Sequence, residues 1–157
     1  MIVIQIAEEL ASIDFGLPID PVMLQRAARE VMDYIGHDMD VDITIILTDD
    51  AQIHKLNKQY RGIDTPTDVL SFPSGDTDPD SNRLYLGDVV ISYPRAQAQA
   101  EAGGHPVEAE LQLLVVHGVL HLTGGYDHVE EQGKSRMRAA QAEILVLLGC
   151  EIAPPHL

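Results

Sequence analysis

The 157-residue chain carries 25 acidic and 10 basic side chains, for a formal net charge of −15, and 45% of its residues are hydrophobic. This composition excludes a disordered chain and the length excludes a second domain, so we predict one ordered domain over residues 1–157. The single cysteine, Cys150, has no internal disulfide partner, which favours a reducing compartment such as the cytoplasm. The N-terminus lacks the basic region of a secretory signal, and every apolar run is far shorter than the ~20 residues that cross a bilayer, so we expect no membrane association.

The first three predicted elements are a strand, a helix and a strand. Alternating isoleucines over residues 2–6 are typical of a short, largely buried strand. Apolar residues recur at three- and four-residue steps over 21–35, which predicts an amphipathic helix with Asp20 as N-cap and Pro21 at the first helical position. The β-branched run over 41–47 predicts the second strand.

A helix and two further strands are predicted next. Capping residues at positions 48–50 indicate the start of a helix that runs to about Tyr60. Residues 68–73 and 85–92 have the composition of strands. The Gly, Asp, Pro, Ser and Asn residues between these two strands predict a mobile loop.

Three helices complete the predicted order. Residues 94–102 suit a short helix, and 106–122 is apolar on nearly every face, as in a central buried helix whose N-terminus is favoured by acidic residues such as Glu110. A last helix is predicted from a capping-box-like start at Asp127 to Leu148. We therefore predict an α+β fold, with one small mixed β-sheet of about four strands packed by about five helices.

The acidity is unevenly distributed along the chain. Residues 1–50 have a net charge of −9, whereas residues 51–75 hold three basic and two acidic side chains, for a net charge of +1. Because Lys and Arg contacts to phosphate supply most sequence-independent affinity for nucleic acid, the overall charge disfavours indiscriminate binding. Any RNA or phosphate site must therefore be local, although an acidic surface that simply confers solubility explains the charge equally well.

Three of the seven histidines lie close together in the sequence. His117 and His121 are spaced i, i+4 in the predicted buried helix, so both side chains project from one face and are suited to ligating one ion. We expect the Gly124-Gly125 turn to reverse the chain, and this reversal can bring His128 over the same point. Three imidazoles with an open position are typical of a catalytic zinc site, so we predict one Zn²⁺ per chain. The alternative is a core of hydrogen-bonded histidines without metal.

Gly118 argues against one class of zinc enzyme. A zinc peptidase places its general base, a glutamate, directly after the first histidine, where this chain has Gly118. Peptide hydrolysis is therefore disfavoured, and phosphodiesters are a natural alternative substrate. A glycine inside a helix costs ~1 kcal/mol relative to alanine, so we expect another backbone or the substrate to approach closely there.

Arg61 lies at the end of a predicted helix, inside the non-acidic window. Its planar guanidinium suits phosphate because it donates two parallel hydrogen bonds. Taken alone, an arginine in this position more often interacts with the helix dipole. Together with the histidines, Arg61 becomes a candidate phosphate-binding residue.

Four ordered motifs resemble the YbeY family of bacterial metal-dependent endoribonucleases, which act in ribosomal RNA maturation. The motifs are Leu56-Asn57 with Tyr60-Arg61-Gly62, residues 67–73, residues 86–92, and residues 117–128. The resemblance implies that His117, His121 and His128 bind zinc and that Arg61 contacts phosphate in the active cleft. It also implies single-stranded RNA as substrate, including the 3′ end of small-subunit rRNA, a role in ribosome quality control, and the ribosome and a ribosome-assembly GTPase as partners.

The chain departs from this family in two respects. The family usually spaces its second and third histidines by five residues, whereas six residues separate His121 from His128 here; an added glycine in a turn is absorbed by positive-φ geometry. The acidity is unusual for an RNA enzyme and suggests that productive binding depends on the ribosome or a protein partner.

The mechanism expected from these residues is metal-assisted cleavage of an RNA phosphodiester, with Arg61 stabilising the charge that develops on phosphate. Two other functions are compatible with the same residues. One is a zinc hydrolase of other substrates, and the other is a non-catalytic ribosome assembly factor with a structural zinc.

Overall fold

A four-stranded mixed sheet lies at the centre of the fold. In the computed structural model, residues 1–11, 19–36, 40–123 and 131–150 are described. The strands are β1 (Ile2–Ile6), β2 (Val41–Thr48), β3 (Val69–Thr77) and β4 (Leu84–Ser92), in the order β1-β2-β4-β3. β1 and β4 each pair with β2 in parallel, whereas β3 pairs with β4 antiparallel. The predicted mixed sheet of about four strands is confirmed.

Helices cover both faces of this sheet. Those in the described residues are α1 (Glu8–Ala11), α2 (Pro21–Tyr34), α3 (Asp50–Arg61), α4 (Tyr93–Gly103), α5 (Val107–Leu122) and α6 (Glu131–Leu148). The single turn α1 was not expected from the sequence; the other five helices follow the predicted order, which confirms the α+β class. None of the helices within the described ranges combines the length and apolar composition that crossing a bilayer requires.

The helix ends follow from local sequence. The Asp20 carboxylate accepts a hydrogen bond from the Val22 N–H at 3.0 Å, and Pro21 opens α2, as predicted. Asp49 caps α3 in the same way, and Gly62, with φ +70°, ends it in the left-handed conformation that glycine adopts without strain. The predicted start of the last helix at Asp127 lies outside the described residues.

The β3–β4 hairpin is longer than the sequence indicates. Residues 74–77, predicted as part of a mobile loop, belong to β3, and Thr77 pairs with Leu84. The register shifts between Pro73 and Asp76, where Gly75 adopts φ +80°. Turn-forming composition is thus overridden by antiparallel pairing with β4, and an irregularity in the ladder accommodates the glycine.

The core lies mainly between the sheet and α5. Eleven of the sixteen α5 residues are buried, and this helix contacts α2, α4, α6, β3 and β4. On the opposite face of the sheet, Ile53 of α3 packs against Leu70 and Val90 in a smaller cluster. The sheet therefore separates α3 from α5. The C-terminal ends of both helices lie near the edge strand β3, where they line a common pocket.

Candidate functional site

A pocket of about 550 Å³ opens between the end of α3, strand β3 and helix α5. It is lined by Tyr60, Arg61, Thr67, Asp68, Val69, Leu70, Ser71, Phe72, Pro73, His117 and His121. The structure thus brings together three of the four site residues predicted from the sequence, Arg61 with His117 and His121. The fourth, His128, lies outside the described residues.

The two histidines lie on one face of α5, near its C-terminal end. Their ring centroids are 4.9 Å apart, and the ring planes are inclined by 64°. His117 Nδ1 lies 2.5 Å from Oε1 of Gln141, which belongs to α6 and is 1% exposed. Because an amide oxygen only accepts, Nδ1–H donates, and the His117 lone pair lies on Nε2.

The imidazoles of His117 and His121 are of the chemical type that ligates metal ions. A ligating imidazole commonly donates its second ring N–H to a carbonyl or carboxylate, which fixes the tautomer and the ring orientation, as Gln141 does for His117. Within residues 1–11, 19–36, 40–123 and 131–150, no group of three His, Cys, Asp or Glu side chains is arranged to hold an ion. Zinc ligation by His117 and His121, with His128 as third ligand, therefore stays a prediction.

Gly118 allows α5 to approach the sheet. A Cβ atom on this residue would lie 2.5 Å from Cγ1 of Val89 in β4. Ser71 of β3 donates a hydrogen bond from Oγ to the Gly118 carbonyl at 2.9 Å, which ties the helix to the pocket wall. A close approach was expected, but the neighbour in the structure is a valine side chain instead of a backbone segment or substrate.

Arg61 is the last residue of α3 and is exposed. The helix ends directly after Arg61, at Gly62, whose N–H donates a hydrogen bond to the Lys58 carbonyl at 3.1 Å. Lys58 itself lies 3.9 Å from Asp64, which also bonds to His54 at 2.8 Å. The hydrogen bond from His54, followed by the charge of Lys58, lowers the pKa of the Asp64 carboxyl. Asp64 therefore offsets part of the positive charge beside the pocket.

Sequence reasoning missed a carboxylate in this pocket. Asp68 Oδ1 accepts from the Val69 N–H at 2.8 Å, and Oδ2 accepts from Gln99 Nε2 at 3.4 Å. The histidine helix has glycine where zinc peptidases have glutamate, and among the lining residues named above Asp68 supplies the acidic group. Its position directly before a strand, within the motif of residues 67–73, was the signal that could have identified it.

A buried polar network lies behind Asp68. Gln99 also donates to Glu110 Oε2 at 3.0 Å, and Glu110 Oε1 lies 2.7 Å from His105 Nε2. The side chains of Glu110 and His105 are 0% and 5% exposed. Glu110 was expected to favour the N-terminus of α5 electrostatically. In the structure its carboxylate also accepts a hydrogen bond from Gln99, and the same Gln99 amide donates to Asp68.

Comparisons with known proteins agree on one family. A family model described as Endoribonuclease YbeY matches residues 17–149. The endoribonuclease YbeY of Pelotomaculum thermopropionicum is 46% identical over 126 residues, which cover 78% of this chain and 82% of the relative. The endoribonuclease YbeY of Roseiflexus castenholzii is 46% identical over 143 residues, covering 86% and 87%.

A solved structure is similar over nearly the whole chain. The solution structure of TM1509 from Thermotoga maritima superposes with a TM-score of 0.59 at 28% sequence identity. The match covers 94% of this chain and 89% of that protein.

Proposed function

The chain belongs to the endoribonuclease YbeY family, and on that premise we propose that it cleaves single-stranded RNA internally by hydrolysing phosphodiester bonds. The observation that carries the proposal is the shared pocket of Arg61 from α3 with His117 and His121 from α5. A guanidinium beside a pair of imidazoles combines a phosphate-binding group with potential metal ligands.

The biological substrate in this proposal is ribosomal RNA, including the 3′ end of small-subunit rRNA. The enzyme acts in the cytoplasm, in rRNA maturation and ribosome quality control, with the ribosome and a ribosome-assembly GTPase as partners. The four motifs that resemble the family support this assignment. The net charge of −15 is consistent with it, because a partner that presents the RNA compensates for the repulsion between phosphate and an acidic protein.

One Zn²⁺ per chain, held by His117, His121 and His128, is part of the proposal. When bound, the ion supplies Lewis-acid polarisation of a phosphoryl oxygen and activation of water. The hydrogen bond from His117 to Gln141 supports this role, because it leaves the Nε2 lone pair as the donor.

The other pocket side chains have separate roles. Arg61 donates hydrogen bonds to non-bridging phosphate oxygens and stabilises the charge that develops there. Asp68, held by the Val69 N–H and by Gln99, accepts a proton from the nucleophile at a carboxylate oxygen. Ser71 holds α5 against β3 through the Gly118 carbonyl.

The test combines metal content with RNA cleavage. Zinc is measured by elemental analysis, and cleavage is followed with a fluorescent single-stranded RNA, for the unmodified chain and for His121→Ala and Arg61→Ala. We expect about one zinc per chain, loss of both zinc and cleavage in His121→Ala, and loss of cleavage alone in Arg61→Ala.

Matched controls come from residues outside the pocket lining. His54 of α3 is half-buried and Arg29 of α2 is exposed, and we expect His54→Ala and Arg29→Ala to retain both zinc and cleavage. Full cleavage by His121→Ala would exclude the proposed chemistry, and loss of zinc in Arg61→Ala would assign Arg61 a structural role.

A further inference from the structure

An aromatic pair, of which the Tyr60 ring is exposed, lies in the pocket that Arg61 also lines. Tyr60 is 62% exposed although its ring is large and largely apolar. Its ring centroid is 5.3 Å from that of Phe72, and the two planes are inclined by 71° in an edge contact. The chain contains two Phe, five Tyr and no Trp, and one Phe and one Tyr meet in this pocket.

Phe72 gives the exposed ring a firm support. It packs against the buried cluster of Ile53, Leu70 and Val90, which joins α3 to β3 and β4. Tyr60 belongs to the last turn of α3, so its backbone is fixed by the helix while Phe72 contacts its ring. A ring that is in contact with a neighbouring ring, accessible to solvent and in the same pocket as a cationic side chain has the features of a stacking platform for a nucleobase.

The charge of the protein favours a contact with RNA that does not depend on phosphate. The net charge of −15 opposes RNA binding, and Asp64 offsets part of the charge of Lys58 near the pocket. Affinity for nucleic acid usually comes largely from phosphate contacts by Lys and Arg. Stacking of a base on an aromatic ring does not depend on net charge and adds about 5- to 150-fold in affinity per base.

We propose that Tyr60, supported by Phe72, stacks on one unpaired nucleobase of the RNA next to the phosphate that Arg61 contacts. The inference rests on the proposed function and adds the mode of substrate recognition. Every base has a π-face, so the platform accepts any base identity. Within a duplex both faces of a base are covered by stacking, so the platform selects single-stranded RNA over double-stranded RNA.

Binding of a non-cleavable, fluorescently labelled single-stranded RNA tests the role of Tyr60. We expect Tyr60→Ala to raise Kd by about 5- to 150-fold and Tyr60→Phe to change it by less than about twofold. Tyr34→Ala removes a tyrosine of α2 that bonds to Glu143 at 2.5 Å and does not line the pocket, and it serves as the matched control with unchanged Kd. Equal Kd values for Tyr60→Ala and the unmodified chain would overturn the proposal.

Salt dependence separates stacking from phosphate contact. The slope of log Kd against log salt concentration is expected to be the same for Tyr60→Ala and the unmodified chain. Arg61→Ala is expected to reduce it by about 0.7, the value for one phosphate contact on a single strand. A reduced slope in Tyr60→Ala would assign its effect to phosphate and contradict stacking.

An abasic site moved along the RNA locates the stacked base, and its effect on the unmodified chain is measured without any substitution in the protein. At one position, loss of the base is expected to weaken binding to the unmodified chain but cause no further loss in Tyr60→Ala. If no position has this property, the platform does not exist. If the proposed function fails, the unmodified chain does not cleave RNA. If only this inference fails, the unmodified chain still binds and cleaves RNA, and Tyr60→Ala binds it equally well.

Discussion

Individual side chains in the pocket depend on partners that hold them in place. His117 is oriented by Gln141 of α6, and Asp68 is held by its neighbouring backbone N–H and by Gln99 of α4. Arg61 is positioned by the end of α3, which Gly62 terminates. Each of these functional side chains is therefore positioned by another residue. Mutating that supporting residue tests the role of the positioning while the functional side chain stays in place.

Replacing Gln141 is expected to weaken metal binding. Gln141→Leu removes the acceptor of the His117 Nδ1–H while retaining similar volume, and loss of such a partner typically lowers metal affinity by about 10- to 100-fold. Competition with a chromophoric zinc chelator measures the affinity. Gln112→Leu, a change on α5 where the side chain bonds only to the local Glu108 carbonyl at 3.2 Å among the contacts described, is the control. Unchanged affinity in Gln141→Leu would show that His117 needs no orientation or ligates nothing.

Asp68 is expected to contribute to the chemical step. Asp68→Asn retains the shape of the side chain but removes its ability to accept a proton, so we expect kcat to fall by about 10²- to 10⁴-fold with zinc content unchanged. The exposed Asp76 of β3 provides the control Asp76→Asn, with unchanged kcat. A kcat equal to that of the unmodified chain would remove Asp68 from the mechanism.

At the scale of elements, α5 is the part that connects the core with the pocket. Its apolar surface packs on the sheet and on neighbouring helices, and its C-terminal half presents His117 and His121 to the pocket. The close packing at Gly118 sets the distance between this helix and strands β3 and β4. Pocket geometry is therefore coupled to the packing of one helix on the sheet.

Gly118→Ala is expected to destabilise the fold despite the better helix propensity of alanine. The added Cβ would lie 2.5 Å from Val89 Cγ1, and overpacking of this kind costs about 1–3 kcal/mol against a propensity gain of ~1 kcal/mol. Urea unfolding measures the change. The double variant Gly118→Ala with Val89→Ala relieves the contact, so its free energy of unfolding should exceed the value expected from adding the two single effects. Strict additivity would show that Val89 is not the obstacle.

Across the whole molecule, the excess of carboxylates makes ion pairs between elements important. Asp42 of β2 bonds to Arg83 at 2.9 Å and to the N-terminal ammonium at 2.7 Å. The hydrogen bond from Arg83, followed by that from the N-terminus, lowers the pKa of Asp42. Burial raises the pKa of Asp50, but hydrogen bonds from Arg95 and Ser92 outweigh it, so this pKa also lies below its ordinary value. These pairs join β2 to the N-terminal residue and to the β3–β4 connection, and α3 to α4.

Acidification is expected to remove the contribution of Asp50 to stability. Because its pKa is lower in the folded state than in the unfolded chain, the contribution is fully present above the ordinary value of 3.8 and is lost as pH falls through the folded pKa. Asp50→Asn should therefore be less stable than the unmodified chain at pH 7, and the difference should shrink towards pH 3. Urea unfolding of both proteins across this range measures it, and repulsion among the remaining carboxylates acts on both alike. A difference that grows on acidification would contradict the sign of the shift.

Features that depend on neighbouring residues along the chain were predictable from the amino-acid sequence. The caps at Asp20 and Asp49 and the helical spacing of His117 and His121 all involve residues within about one turn of each other. Hydrophobic periodicity, β-branched composition and capping residues identified the four strands and five of the helices for the same reason. The motif that carries Arg61 likewise indicates phosphate through residue type and local spacing alone.

Which of these features come into contact was not predictable from local sequence, because it depends on packing between elements. The extension of β3 to Thr77 came from pairing with β4, which outweighed the turn-forming composition of that segment. The pocket that joins Arg61 to the histidines, the contact of Tyr60 with Phe72 and the bond of Gln141 to His117 each join different elements. Such contacts follow from how helices pack on the sheet, and packing depends on the complementarity of whole surfaces, which local spacing does not encode.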